Sequence, residues 1–269
     1  MSRNLKLTLA YDGSEFHGWQ IQPGLPTVQG ILSEVIGRTT GEKVLPQGSG
    51  RTDTGVHALA QTASFTTESN IPLVNFRKVL NDRLPPAIRV LSVDEMPPDF
   101  HARHSALAKT YEYRIYRGEI VPPWQTRYVT HHPWPLDESA VFAVADLILG
   151  EHDFTSFAAV DPDQETRSQV VEREEEFSTS STYVVPKHAT NVRTIFESSW
   201  SRKGDEIIYT VRGNGFLHNM VRNLVGTFLL AGKGTIESSD IKKILEAKDR
   251  SAAGPTAPAG GLWLMKVEY

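Results

Sequence analysis

Two apolar periods alternate along this chain, and the alternation restricts the folds open to it. Residues 5–10 carry apolar side chains at every second position, as a half-buried strand does. After Pro26-Thr27, Val28, Ile31, Leu32, Val35 and Ile36 recur at helical spacing, with Gly41 as a stop. A strand then leads into a glycine-rich turn at 48–55, and residues 59–66 lead away as another strand. Pro72 opens a second helix with Leu73, Phe76 and Leu80 inward, stopped before Pro85-Pro86, and residues 88–93 close this half as a strand. The second half varies the theme. Residues 111–116 form a strand, and 136–149 a helix with Ala140, Val144, Leu147 and Ile148 inward; 192–200 and 206–212 are strands. Leu217, Val221, Leu224, Val225, Phe228 and Leu229 mark the strongest helix, over 217–230. Ser239-Asp240 begins a shorter helix over 241–247, and 262–267 is a final strand. Strands separated by helices, in two similar halves without a flexible linker, predict an α+β protein built on one shared, mainly antiparallel sheet. The halves divide at residues 1–105 and 106–269. Residues 161–191, polar and acidic, read as a long loop or ribbon.

Length and composition exclude several classes. A chain of 269 residues has room for a sizeable core. No apolar run approaches the roughly 20 residues a membrane helix needs, and the opening residues lack the apolar core of a signal peptide. The absence of cysteine excludes disulfides, thiolate metal sites and a cysteine nucleophile. These features place the protein in the cytoplasm, without a membrane partner. A net charge of −4 argues mildly against a nucleic-acid partner, but the charge is unevenly spread. Residues 150–176 hold nine Asp/Glu and two Arg, so the rest of the chain is net positive. Residues 101–135 hold Arg103, Lys109, Arg114, Arg117 and Arg127 against Glu112 and Glu119, with four histidines besides. A polyanion responds to such a local patch; the plainer reading is a solvated charged face.

The turn reads GSGRTDTGVHA over residues 48–58, with a single carboxylate, Asp53, between Arg51 and His57. A generic Asp-x-Gly is an Asx-turn. Here glycines let the backbone approach a ligand closely, Arg51 can favour the ionised carboxylate, and His57 adds a further polar group. A carboxylate kept ionised on such a loop suits a nucleophile. Asp53-Thr54-Gly55 also matches the short signature of aspartic proteases. Those enzymes pair two aspartates around one proton, however, and this chain has a single such motif, preceded by a cation. His101 with His104, and His131 with His132, lack metal-ligand spacing, so no metal site is expected. Tyr111 and Tyr113 alternate on one strand and share a face, either as core packing or as a platform for a base. Arg222 follows a core position of the strongest helix and flanks its buried face, either snorkelling to solvent or turned toward the carboxylate.

GRTDTGVHA, taken with YDGSEFHGWQIQPGLPTVQGIL, KTYEYRI, HDFTSF, GNGFLHNMVRNLVG and PAGGLWL in that order, resembles the TruA-type tRNA pseudouridine synthases. The acidic stretch 164–191 departs from that pattern, being longer and more acidic. The resemblance implies two RRM-like halves around a central mixed, mainly antiparallel sheet with helices packed on one face. It implies isomerisation of uridine to pseudouridine at positions 38–40 of the tRNA anticodon stem-loop, by a homodimer, without metal or organic cofactor. Carried over by motif, Asp53 is the nucleophile, Arg222 its ion-pair partner and Tyr111 the ring stacked on the target uracil. Arg51 would help displace the target base, and Leu262 would pack near it. An RNA-binding or RNA-folding protein of the same architecture, without catalysis, is the alternative.

Overall fold

A computed structural model describes residues 2–159 and 190–269. The expected acidic ribbon lies almost wholly outside them. Ten strands form one sheet: β1 (Arg3–Tyr11), β2 (Gln47–Gly48), β3 (His57–Thr67), β4 (Ile88–Met96), β5 (Ala108–Tyr116), β6 (Thr130–His131), β7 (Gly150–Asp153), β8 (Val192–Lys203), β9 (Glu206–Gly213) and β10 (Leu262–Glu268). Their order is β4-β1-β3-β10-β5-β9-β8-β7, with β2 on β3 and β6 on β5. Pairing is antiparallel except for β10 on β3 and β6 on β5. The chain is therefore α+β with a mixed, mainly antiparallel sheet, as the alternating periods predict. The last strand, β10, pairs with both β3 and β5, so the C-terminus joins the earlier strands to the later ones.

Among the described residues the helices are α1 (Val28–Thr40), α2 (Leu73–Arg83), α3 (Glu138–Ala143), α4 (Met220–Gly232) and α5 (Asp240–Ala247). In α1 the ends are as read: Thr27 Oγ1 accepts from the Gly30 N–H, and Gly41 terminates the helix at φ 79°. Register fixes which side chains face the helices. Tyr11 pairs with Ala58, Ala58 with Leu264, and Leu264 with Tyr111, so these four share one face. Leu5, Leu7 and Leu9 extend that face toward α1 and α2, where Phe65 packs on Phe76. Tyr209 extends it toward α4, meeting Phe228 edge-on at 5.4 Å.

Two helices differ from the periodicity. The helix expected over 136–149 is α3 alone, followed by a tight turn at Ala145–Ile148. Ser198 Oγ, from β8, donates to Ala145 O (2.7 Å), which takes a carbonyl that a continuing helix would need. The strongest helix starts at Met220 instead of Leu217, because Asn219 adopts a left-handed φ of 58°. His218 and Asn219 therefore form the turn that leads into α4, and Arg222 sits in its first turn.

Candidate active site

Residues 49–56 form a loop tied down on several sides between β2 and β3. The Ser49 N–H donates to Thr62 O (2.7 Å), Ser49 Oγ to Gln61 Oε1 (2.6 Å), and Gln61 Nε2 to Gly50 O (3.0 Å). Beyond these, the Trp19 N–H donates to Thr52 O (3.0 Å), Thr52 Oγ1 meets the Tyr11 hydroxyl (2.9 Å), and the Val56 N–H closes on Asp53 O (3.1 Å). With the backbone held, only side-chain torsions remain to place the Asp53 carboxylate.

The protein's own packing already requires glycine at these positions. A Cβ on Gly48 would come within 2.6 Å of the Trp19 indole, and one on Gly50 within 2.7 Å of Lys109 Nζ. Gly55 has φ 80°, which a side chain would strain. His57 points away from the Asp53 carboxylate. It is fully buried and stacks on Trp263 at 4.5 Å, on the sheet face opposite Ala58. Its Nδ1 accepts from the Gly13 N–H (3.1 Å), so Nε2 carries the proton and donates to Arg127 O (3.0 Å). Burial lowers its pKa and keeps the ring neutral, although Asp12 Oδ1 stands 3.2 Å away. His57 belongs to the architecture.

Asp53 meets Arg222 across a separation of 169 positions in the sequence. Arg222 Nη1 donates to Asp53 Oδ2 at 3.1 Å and to Asn219 Oδ1 at 2.7 Å, while its Nε donates to Ala257 O at 2.7 Å. The guanidinium fork is thereby aimed by three acceptors on three segments, which an ammonium could not reproduce. Its side chain is 16 % exposed, so it does not snorkel to solvent. Asp53 Oδ1 receives no hydrogen bond among the described residues and faces His218 Nε2 at 3.6 Å. One carboxylate oxygen is thus locked to a cation and the other is left open, on a side chain 24 % exposed. A partner guanidinium in place of a second carboxylate removes the aspartic-protease reading. Arg51 lies half-buried in the loop, but Arg222, not Arg51, is the arginine in ion-pair contact with Asp53.

Tyr111 and Tyr113 share a face of β5 as expected, with different fates. The Tyr113 hydroxyl is used by Thr130 Oγ1 (2.6 Å) and Pro258 O (2.7 Å). The Tyr111 ring is buried edge-on against Phe216 at 5.0 Å, and its hydroxyl has no hydrogen-bond partner among the described residues. Burial pushes its pKa up, with smaller contributions from Tyr11 and the negative charge of Asp53, so the phenol is neutral. Leu262 is buried at the start of β10 and pairs with Tyr113, on the face that carries Tyr111. Sequence reading assigned no role to His218, Asn219 or Phe216. All three stand in the quoted GNGFLHNMVRNLVG stretch, but the left-handed Asn219 that turns them toward Asp53 has no periodic signal.

The basic run at 101–135 does not form one patch. Lys109 and Arg114 project from opposite faces of β5. Arg114 is paired with Glu112 at 2.8 Å and lies over Trp263 at 4.9 Å. Arg117 is held by Glu138 at 3.1 Å, and Arg127 pairs with Glu15 at 3.1 Å. Among the histidines, His101 Nδ1 accepts from the Arg103 N–H at 3.0 Å, and His131 Nε2 contacts Gly118 O at 3.0 Å. Among the described residues no three His, Asp or Glu side chains are grouped to hold a metal, and no helix is long and apolar enough to cross a membrane.

A family model described as tRNA pseudouridine synthase matches residues 8–105 and 174–269. A tRNA pseudouridine synthase A from Solibacter usitatus is 47 % identical over 268 residues, 99 % of this chain and 100 % of that protein. Another from Brevibacillus brevis is 42 % identical over 267 residues, again 99 % of this chain and 100 % of its own length. A solved Cbf5-Nop10-Gar1 complex is similar at a TM-score of 0.35 and 12 % identity, over 97 % of this chain and 48 % of that one, too slight a likeness to argue from. Asp53 falls in the first matched segment and Arg222 in the second, so the match takes in both sides of the ion pair. The chain belongs to the tRNA pseudouridine synthase family, isomerases that act on tRNA.

Proposed function

We propose that this protein converts uridine to pseudouridine at positions 38–40 of the tRNA anticodon stem-loop, as a cytoplasmic homodimer, with Asp53 as the nucleophile. The observation that carries the reading is the unequal treatment of the Asp53 oxygens: Oδ2 bound by Arg222 at 3.1 Å and Oδ1 open. The guanidinium holds Oδ2 in place and leaves Oδ1 facing the open side, as an attacking carboxylate requires.

The reaction breaks N1–C1′, turns the uracil while it is held, and forms C5–C1′; C5 loses a proton and N1 gains one. Asp53 has three possible first steps: attack at C6, attack at C1′, or removal of a ribose proton. In the second, the Oδ1–C1′ bond forms as N1 leaves with its electron pair, and C5 later displaces the carboxylate. Tyr111 supplies a ring for the uracil, and its neutral hydroxyl gives its proton toward N1 as the oxygen takes the proton from C5, which regenerates the phenol. Bonding of Asp53 to the substrate would remove the negative charge that helps keep the phenol protonated. Arg51, in the same loop, would help displace the target base, and Leu262 would line the wall beside it. Flipping a base from a stem costs a few kcal/mol, which stacking and cationic contacts offset.

The test is incubation with unmodified tRNA and mapping of pseudouridine at single-nucleotide resolution. Product confined to positions 38–40 is expected. Tight binding with no isomerisation of any uridine would favour the non-catalytic alternative. Sedimentation of the free protein should give a dimer; a monomer at micromolar concentration would count against a tRNA site shared by two subunits.

A further inference from the structure

Three cations gather beside the Asp53 loop without a carboxylate among the described residues. Lys109 lies on β5 two positions before Tyr111 and on the same face, opposite Gly213 of β9. Gly213 is paired in turn with Ile195, and Arg193 stands two positions before Ile195, so Arg193 also projects from this face. The Gly213-Asn214-Gly215 turn lies between them, pinned by the Asn214 N–H to Thr194 O at 3.0 Å, and the Arg193 Nε lies 3.3 Å from where a Gly215 Cβ would be. On the other side, Lys109 Nζ donates to Ser49 O at 2.5 Å, in the space that Gly50 leaves by having no side chain. Arg103 completes the group from the turn at 101–105, where it is exposed.

Like charges so placed destabilise one another. Burial and the neighbouring Arg103 and Arg193 bring Lys109 down to about 8, and burial with Arg103 also lowers Arg193. The other arginines of the basic run are each paired with an acid, whereas these three have no acid partner among the described residues. Such repulsion persists at no benefit to the fold and is relieved by a bound anion. The bare Gly-Asn-Gly backbone leaves room for one.

We propose that Lys109, Arg103 and Arg193 form a seat for one backbone phosphodiester of the RNA strand that carries its uridine to Asp53. The inference rests on the function proposed above and adds to it a fixed point for the strand. Lys109 touches both the Asp53 loop and the seat, so the phosphate and the nucleophile are held in register with each other.

The test uses tRNA carrying single, uncharged methylphosphonate linkages, placed one at a time through the anticodon stem-loop, with binding as the readout. Wild-type affinity should fall several-fold at one linkage close to the isomerised uridine. The double variant Arg103→Gln/Arg193→Gln should be indifferent to that linkage, and its plot of log affinity against log salt should be shallower by about 0.7–0.9. Arg127→Gln, which removes a cation already paired with Glu15, should leave the interference pattern unchanged. Arg103 is exposed, so Arg103→Gln alone carries the test if the double variant does not fold. An interference pattern the same in variant and wild type, or no sensitive linkage at all, would overturn the seat. Absence of pseudouridine together with the expected interference would instead overturn the catalytic reading and leave the seat standing.

Discussion

The two faces of the sheet near β3, β5 and β10 carry similar residues in opposite states. On the face away from α4, His57, Asp12, Tyr128, Trp263, Arg114 and Glu112 use one another up. The Tyr128 hydroxyl donates to Asp12 Oδ2 at 2.9 Å, the Trp263 Nε1–H to Tyr128 O at 3.2 Å, and Arg114 to Glu112. On the helix-covered face, Asp53 Oδ1 and the Tyr111 hydroxyl lack hydrogen-bond partners among the described residues, and His218 Nδ1 is buried without one. A buried polar atom is nearly always satisfied, so the lack of a partner for His218 Nδ1, beside an open Asp53 oxygen, calls for an explanation. Residue type alone does not separate the two faces. What the fold leaves unused does.

The largest effect expected from breaking that contrast is at Asp53. Asp53→Asn keeps the shape and removes the charge, so pseudouridine should be undetectable while tRNA affinity and the unfolding midpoint stay near wild type. Appreciable turnover by a preparation free of wild-type enzyme would remove Asp53 from the chemistry. Arg222→Ala comes next, with activity falling by orders of magnitude. It should also cost about 1–3 kcal/mol of stability, since Ala257 O loses its donor. Arg222→Lys should restore part of the activity, because one ammonium cannot serve Asp53, Asn219 and Ala257 in a planar fork. Single-turnover rates with denaturant unfolding on the same samples would separate the two losses.

Tyr111→Phe sharpens the comparison at one atom. The ring and its contact with Phe216 remain, so tRNA binding should hold within a few-fold. Product formation should fall by about 10²–10⁴-fold, as for loss of a general acid–base group. Turnover within a few-fold of wild type would make Tyr111 a stacking platform only.

The smallest catalytic effect is expected on the opposite face. His57→Gln should leave turnover per folded molecule near wild type and lower stability by about 1–3 kcal/mol, because buried hydrogen bonds are lost. A large drop in turnover at unchanged stability would show that the two faces are not separate in function. The pH dependence follows from the same burial. His57, His132 and His104 have pKa values lowered from the ordinary 6.5, and His101 falls to about 4. Between those values the unfolded chain binds more protons than the folded one, so stability should decline as pH falls from about 6.5 toward 4. Denaturant midpoints measured across that range would check the sign; a midpoint that rises on acidification would contradict it.

Local chemistry reads well from the sequence. Periodicity located the strands other than the short β6 and β7, and most helices, since burial of one face repeats at 2 or 3.6 residues whatever the neighbours are. The motif stretches pointed to Asp53, Tyr111 and Arg222, which lie close in space as their resemblance to a known family implied. Misreadings arose where a distant segment intervened. The helix expected over 136–149 ends with α3, where Ser198 Oγ donates to Ala145 O. His57, four residues from Asp53, was turned to the opposite face by strand alternation.

What the sequence determined by itself is most of the elements, the α+β class and the one carboxylate, Asp53, that the glycine-rich turn singles out, because propensity, periodicity and residue chemistry act over a few residues. The tertiary structure alone decided which of the Asp53 oxygens stays open and which basic residues have no acid partner among the described residues. Those outcomes depend on Arg222, His218 and Arg193 arriving from more than a hundred residues away. Electrostatic pairing acts across space over a few ångströms, and chain order does not reveal which groups the fold will bring that close.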